Sequence, residues 1–154
     1  MRAQYIILLC IFFVYGIVSS QSKSNITPPK NTVKIIIKNS SDKISNFNLI
    51  AQTIIDNDFS IDKKDNEFFI IETAPKLSND KTSTYILKLV AKDNLIVLTG
   101  FAKSRINSNF ANIPEEYEKI INKGMKGSIF KDQFNSMFSF AKLFADNELE
   151  FVVN

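Results

Sequence analysis

Histidine and tryptophan are absent from this chain, and cysteine occurs once, at position 10. Without an imidazole, neither a serine triad nor a cysteine–histidine dyad can be assembled, and the common structural zinc sites lose their ligands. A lone cysteine closes no disulfide within its own chain. A strong charge of one sign is missing too. Nineteen Lys and Arg stand against 16 Asp and Glu, a balance that leaves no electrostatic footprint for nucleic acid. The chemistry still open is serine activated by lysine, or a pair of carboxylates such as Glu115 and Glu116. Nothing in the sequence singles either out.

The most apolar stretch comes first. Arg2 is followed by an uncharged run from Tyr5 to Val18, and Val18 and Ser20 carry the small or modest side chains a signal peptidase accepts. As a helix this run reaches roughly 21 Å, short of the ~30 Å hydrocarbon core. Residues 1–20 therefore read as a signal peptide cut after Ser20. Cys10 lies between Leu9 and Ile11, inside the run, where a lipoprotein cysteine does not stand. The other 134 of the 154 residues suffice for one domain, free of cysteine and histidine. The expectation is an exported protein, periplasmic or extracellular, with no transmembrane segment after cleavage. Residues 21–31 are polar, with Pro28-Pro29, and read as a flexible N-terminal tether to a single domain over 32–154.

Periodicity organises that domain. Val33, Ile35 and Ile37 alternate with lysines, which predicts a strand over 32–38. Asn39 to Asp42 supply turn and cap side chains for a helix carrying Ile44, Phe47, Ile50, Ala51, Ile54 and Ile55 at three- and four-residue spacing. A short strand at 59–62, a polar turn at 63–66 and a strand at 67–73 read as a hairpin. Residues 74–81 read as a loop. Thr84–Ala91 and Leu95–Ala102 flank the turn Lys92-Asp93-Asn94 as the clearest hairpin, followed by a polar loop from Lys103 to Pro114. Residues 115–122 fit an edge strand better than a short helix. Ser128 caps a second helix with the stripe Phe130, Phe134, Met137, Phe138, Ala141 and Phe144, and Glu148–Val153 closes as a strand. Tight turns pair strands antiparallel, and both helices need an apolar partner. The fold class is α+β, a curved antiparallel sheet of five to six strands packed on one or two helices.

The helix ending in Asn57-Asp58-Phe59-Ser60-Ile61-Asp62-Lys63-Lys64-Asp65-Asn66, followed by Phe69-Ile70-Ile71-Glu72-Thr73, resembles small exported bacterial domains of unknown function with a TATA-binding-protein-like, or helix-grip, fold. The likeness covers about Val33 to Ala102, with Gly124-Met125-Lys126-Gly127-Ser128 and the helix after it as a second segment. It implies the layout only, because function sits in sites grafted onto a scaffold.

Three patterns invite a chemical reading. Asp56, Asp58, Ser60, Asp62 and Glu67 have oxygen atoms near the spacing of a calcium loop. Ile61, however, stands where such a loop needs glycine, Lys63 where it needs an apolar residue, and a strand follows in place of a helix. The turn Gly124, Lys126, Gly127, Ser128 could hold an anion at a helix start. It lacks the spacing of a phosphate-binding loop, and a tight turn with Ser128 as helix cap is the preferred reading. Finally, Leu143 falls on the polar side of the last helix and Phe140 at the edge of its stripe, which makes both candidate contacts for a partner or an apolar ligand. The expected function is a non-catalytic interaction module of the envelope or secreted space, without cofactor or metal and with an unknown envelope protein as partner. The alternatives are a carrier holding a small apolar or lipid-like ligand between sheet and helices and, behind it, a hydrolase lacking His and Cys.

Overall fold

Alternating side chains build the sheet. In β5 (Ser83–Lys92) and β6 (Leu95–Ser104) every second residue is buried, the period-two signature of a sheet covered on one face. The computed structural model describes residues 26–105, 116–144 and 147–154. The proposed signal peptide with Cys10, the first part of the tether, and Glu115 lie outside them. Within them the remaining strands are β1 (Thr32–Lys38), β2 (Ile61–Asp65), β3 (Ile70–Thr73), β4 (Lys76–Leu77), β7 (Glu118–Lys119) and β8 (Glu148–Val153). The main path runs β2-β3-β5-β6-β1-β8; β4 pairs with β5 and β7 with β6, and every pairing is antiparallel. The protein is thus α+β, with six strands in the main path and two of two residues each beside it among the described residues.

Two helices lie on one face of this sheet. In α1 (Lys43–Asp56), Asp42 caps the first turn by accepting from the N–H groups of Ile44 and Ser45, and Phe47, Ile50 and Ile54 turn inward. In α2 (Ile129–Ala141), Ser128 caps by accepting from the N–H of Lys131, and a 3-10 turn, Lys142–Phe144, extends the end. α1 packs on β5 and β3, and α2 on β6, β5 and β1. Between the layers Ile35, Leu87, Leu89, Leu98, Phe134 and Met137 are fully enclosed. Fully burying each such side chain contributes about 1.5–3 kcal/mol. Lysines finish the margins, where their stems and charges cover aromatic rings. Lys76 Nζ sits 3.6 Å from the centre of the Phe59 ring and Lys43 Nζ 4.1 Å from that of Phe69.

The helices, the central hairpin, β1 and β8 form where periodicity places them, and the edge-strand reading of 115–122 holds at Glu118–Lys119 alone, as β7. Four details differ. The expected polar turn at 63–66 is strand as far as Asp65, and the chain reverses at 66–69, where the Asp65 carboxylate accepts from the N–H groups of Glu67 and Phe68, both at 2.9 Å. β2 is an edge strand that water reaches on both faces, so its charges look like a turn in the sequence. The loop 74–81 contains β4. Ile44 and Ile55 lie off the buried face of α1, each 61 % exposed, whereas Asn46 lies on it, fully enclosed. Phe130 is the fourth, 40 % exposed off the buried stripe of α2. At Gly100 a Cβ would stand 2.8 Å from Ile120 Cδ1 and 3.0 Å from Met137 Sδ. This missing side chain is what lets α2 and the β7 segment settle onto β6.

The far end of the proposed tether is held down. Asn122 is buried, and its Nδ2 donates to the carbonyls of Pro29 at 2.6 Å and Pro28 at 3.0 Å. Its backbone exchanges bonds with Asn31 and Thr32, and Lys131 Nζ donates to its Oδ1 at 2.6 Å. One asparagine therefore ties the entry to β1, the segment after β7 and the first turn of α2 together.

Candidate functional site

The helices leave the opposite face of the sheet uncovered among the described residues. Cross-strand register lays its side chains out in rows. Ile70 stands opposite Val90, Val90 opposite Val97, and Val97 opposite Ile36. These four form an apolar band across four strands. Ile86 and Phe101 pair in the next row but one. All six are half-buried by their neighbours and by no helix. Charge rims the band: Lys63 and Lys88 both meet the Glu72 carboxylate at 3.3 Å on one side, and Lys38 meets Glu150 at 2.8 Å on the other. The hydrogen bond and negative charge of Glu150, with Glu148 beside it, raise the pKa of the Lys38 ammonium above its ordinary value. An apolar centre inside a charged rim is the anatomy of a protein-binding surface.

The three patterns from the sequence fare differently. Gly124 and Gly127 both adopt φ +85°, and a Cβ on Gly124 would fall 2.3 Å from Ser128 Oγ. Ser128 Oγ accepts from the N–H of Lys131 at 3.3 Å, so the glycines shape the turn and the serine caps the helix, with Lys126 exposed beside them. Phe140 is 2 % exposed and stacks edge-on against Phe59 and Phe144, which makes it core and removes it as a surface contact, whereas Leu143 is 42 % exposed. The helical wheel misleads here because Phe59, from the connection between α1 and β2, comes across to cover the stripe's edge. The calcium-like residues are scattered: Asp56 ends α1, Asp58 sits in a left-handed turn with φ 58°, Asp62 belongs to β2, and Glu67 lies in the β2–β3 turn. Among the described residues no three His, Cys, Asp or Glu side chains gather to hold a metal ion.

One polar cluster escaped the sequence altogether. Asp80, in the β4–β5 loop, accepts at Oδ1 from Ser78 Oγ (2.8 Å), Thr82 N (2.9 Å) and Thr82 Oγ1 (2.6 Å). Its N–H reaches Asp132 Oδ2 in the first turn of α2 at 3.3 Å, and Gln133 Nε2 donates to Ser83 Oγ at 2.9 Å next door. Partial burial opposes charge on Asp80, but the donors from Thr82 and Ser78 outweigh it and hold the carboxyl at about 2. Burial, and then the bond to Asp80, push Asp132 the other way, and burial raises the Tyr85 hydroxyl to about 12, with the Asp132 charge adding to it. Residues 52 apart in sequence give no periodic signal.

The signs follow from linkage. Asp80, depressed in the folded state, contributes stability that is present above the ordinary Asp value of 3.8 and is lost as pH falls toward about 2. Asp132, raised, contributes while protonated and loses that contribution as pH rises through its folded value. Asp80→Asn is therefore expected to cost about 1 kcal/mol near neutrality, since it weakens several partly exposed bonds, with the deficit shrinking in acid. Asp132→Asn is expected to be neutral or stabilising at pH 7. Urea melts of the two variants at neutral and acid pH check both signs.

No family model, curated protein or solved structure matches the chain.

Proposed function

We propose that the protein is an exported, non-catalytic binding module that receives an apolar surface of another protein on the open face of its sheet. The observation that carries this reading is the band Ile36, Ile70, Val90 and Val97, with Ile86 and Phe101 beyond the Glu72–Lys88–Thr99 row, left half-exposed where neither helix reaches. A folded chain gains by covering such a band, and a sheet face offers regularly spaced side chains for a partner to interlock with. Export rests on the leading apolar run, and the non-catalytic part on the absent histidine and the single cysteine inside that run. The space between sheet and helices is filled by Ile35, Leu87, Leu89, Leu98, Phe134 and Met137, so a carried ligand would have to displace core side chains. No feature favours that second reading.

Val97→Glu tests the proposal. Val97 sits in the middle of the band but outside the core, so the variant is expected to keep its circular dichroism and to lose the envelope proteins that wild type recovers from its host. Leu143→Asp, on the helical side, is expected to recover them as wild type does. Equal recovery by Val97→Glu, or loss confined to Leu143→Asp, overturns the proposal; the latter moves the contact to the helices.

A further inference from the structure

The main path of the sheet ends in two edge strands of opposite character. β2 is defended: Asp62, Lys63, Lys64 and Asp65 are all exposed and its register is irregular, devices that keep strand edges apart. β8 is not. Leu149 and Phe151 face the helix layer, where Phe151 meets Phe138 at 5.9 Å between ring centres, and Val153 is 52 % exposed.

Hydrogen-bond phase shows which backbone groups of β8 are available. Asn39 donates to the Asn94 carbonyl on the β6 side of β1. Alternation along β1 then turns Lys34, Ile36 and Lys38 toward β8, opposite Val152, Glu150 and Glu148. Asn154 donates to the Asn31 carbonyl in the same phase. The N–H and C=O groups of Leu149, Phe151 and Val153 therefore point outward, and no strand among the described residues pairs with them.

We propose that a second copy of this chain pairs its β8 antiparallel on this edge, about a two-fold axis at Phe151. Continuity of the helix-side layer requires helix-side residues to meet each other, which leaves few registers. An axis at Glu150 sets two carboxylates face to face. An axis at Leu149 sets Glu148 opposite Glu150 twice, and an axis at Val152 leaves Leu149 unpaired. The axis at Phe151 sets Phe151 against Phe151, Leu149 against Val153, and Glu150 against Val152, with no like charges directly opposite. It also engages every outward backbone group of those three residues, and it extends the open face without break from one copy to the next. The strand's own pattern carries this pairing, whatever docks on the open face.

Light scattering on protein purified from its own host, over a range of concentrations, is expected to show a reversible dimer. Val153→Pro deletes only an N–H that β1 does not use, and an edge strand tolerates it; this variant is expected to stay folded and run as a monomer. Val152→Glu sets a carboxylate against Glu150 at two symmetry-related places and is expected to raise the dimer dissociation constant roughly tenfold or more. Adding Glu150→Lys to it is expected to restore the dimer, which also keeps the test decisive if Val153→Pro disturbs the strand. A wild type that is monomeric at every concentration overturns the inference, as does a dimer that Val152→Glu leaves intact.

Discussion

Phe140→Ala is expected to lower unfolding free energy by about 3–5 kcal/mol, a large part of the 5–15 kcal/mol typical of a domain. Phe140 is 2 % exposed, its ring 5.0 Å from that of Phe59 and 5.9 Å from that of Phe144. Truncation opens a cavity where three elements meet, namely α2, its 3-10 extension and the connection after α1, so no single segment can collapse to fill it. The melting temperature is expected to fall on the order of 10–20 °C. Leu143→Asp, three residues on but 42 % exposed, is expected to shift stability by only about 0.5 kcal/mol. Denaturant melts of the pair decide the matter, and near-equal losses would contradict the packing described here.

Asn46→Leu is the second large effect. Asn46 is fully enclosed on the inward face of α1. Its Nδ2 donates to the Lys92 carbonyl at 2.8 Å and approaches those of Ser41 and Leu95, while its Oδ1 accepts from Asn39 Nδ2 at 2.6 Å. The side chain pins the start of α1 to the β5–β6 turn. Leucine fills the same volume but leaves buried acceptors unpaired, at about 2–3 kcal/mol. Asn46→Asp is expected to be worse near neutrality, because a carboxylate among carbonyl oxygens is repelled. It should recover in acid, where a protonated carboxyl can donate to Lys92. Urea melts at two pH values distinguish this from a pure packing loss, which would leave the Asn46→Asp deficit independent of pH.

The sequence made the repeating elements legible and the singular ones not. β1, both helices and the β5–β6 hairpin announce themselves because burial on one face forces a period of two or 3.6 on their side chains. β2 carries no such period, since an edge strand of charged residues has no covered face, and those charges place the turn too early in the chain. The apolar band on the open face, and the Ile86–Phe101 pair beyond it, are hidden for a related reason. Ile86, Val90 and Val97 read as ordinary strand hydrophobics until the topology shows that both helices chose the other side. Asn46, Asn122 and the Asp80–Asp132 pair join residues distant in the chain, and an enclosed asparagine looks like any surface asparagine until its partners are known. At Gly124 to Ser128 the sequence favours a capped turn over an anion site, and the geometry has the capped turn.

Photo-cross-linking in the living host measures most directly whether the open face is the contact. A photoreactive side chain in place of Val97, in the middle of the band, is compared with one in place of Gln52, on the exposed surface of α1. Docking on the open face predicts an adduct with a different protein from position 97 and none from position 52. No adduct from 97, equal adducts from both positions, or an adduct from 97 only with a second copy of the chain would contradict it.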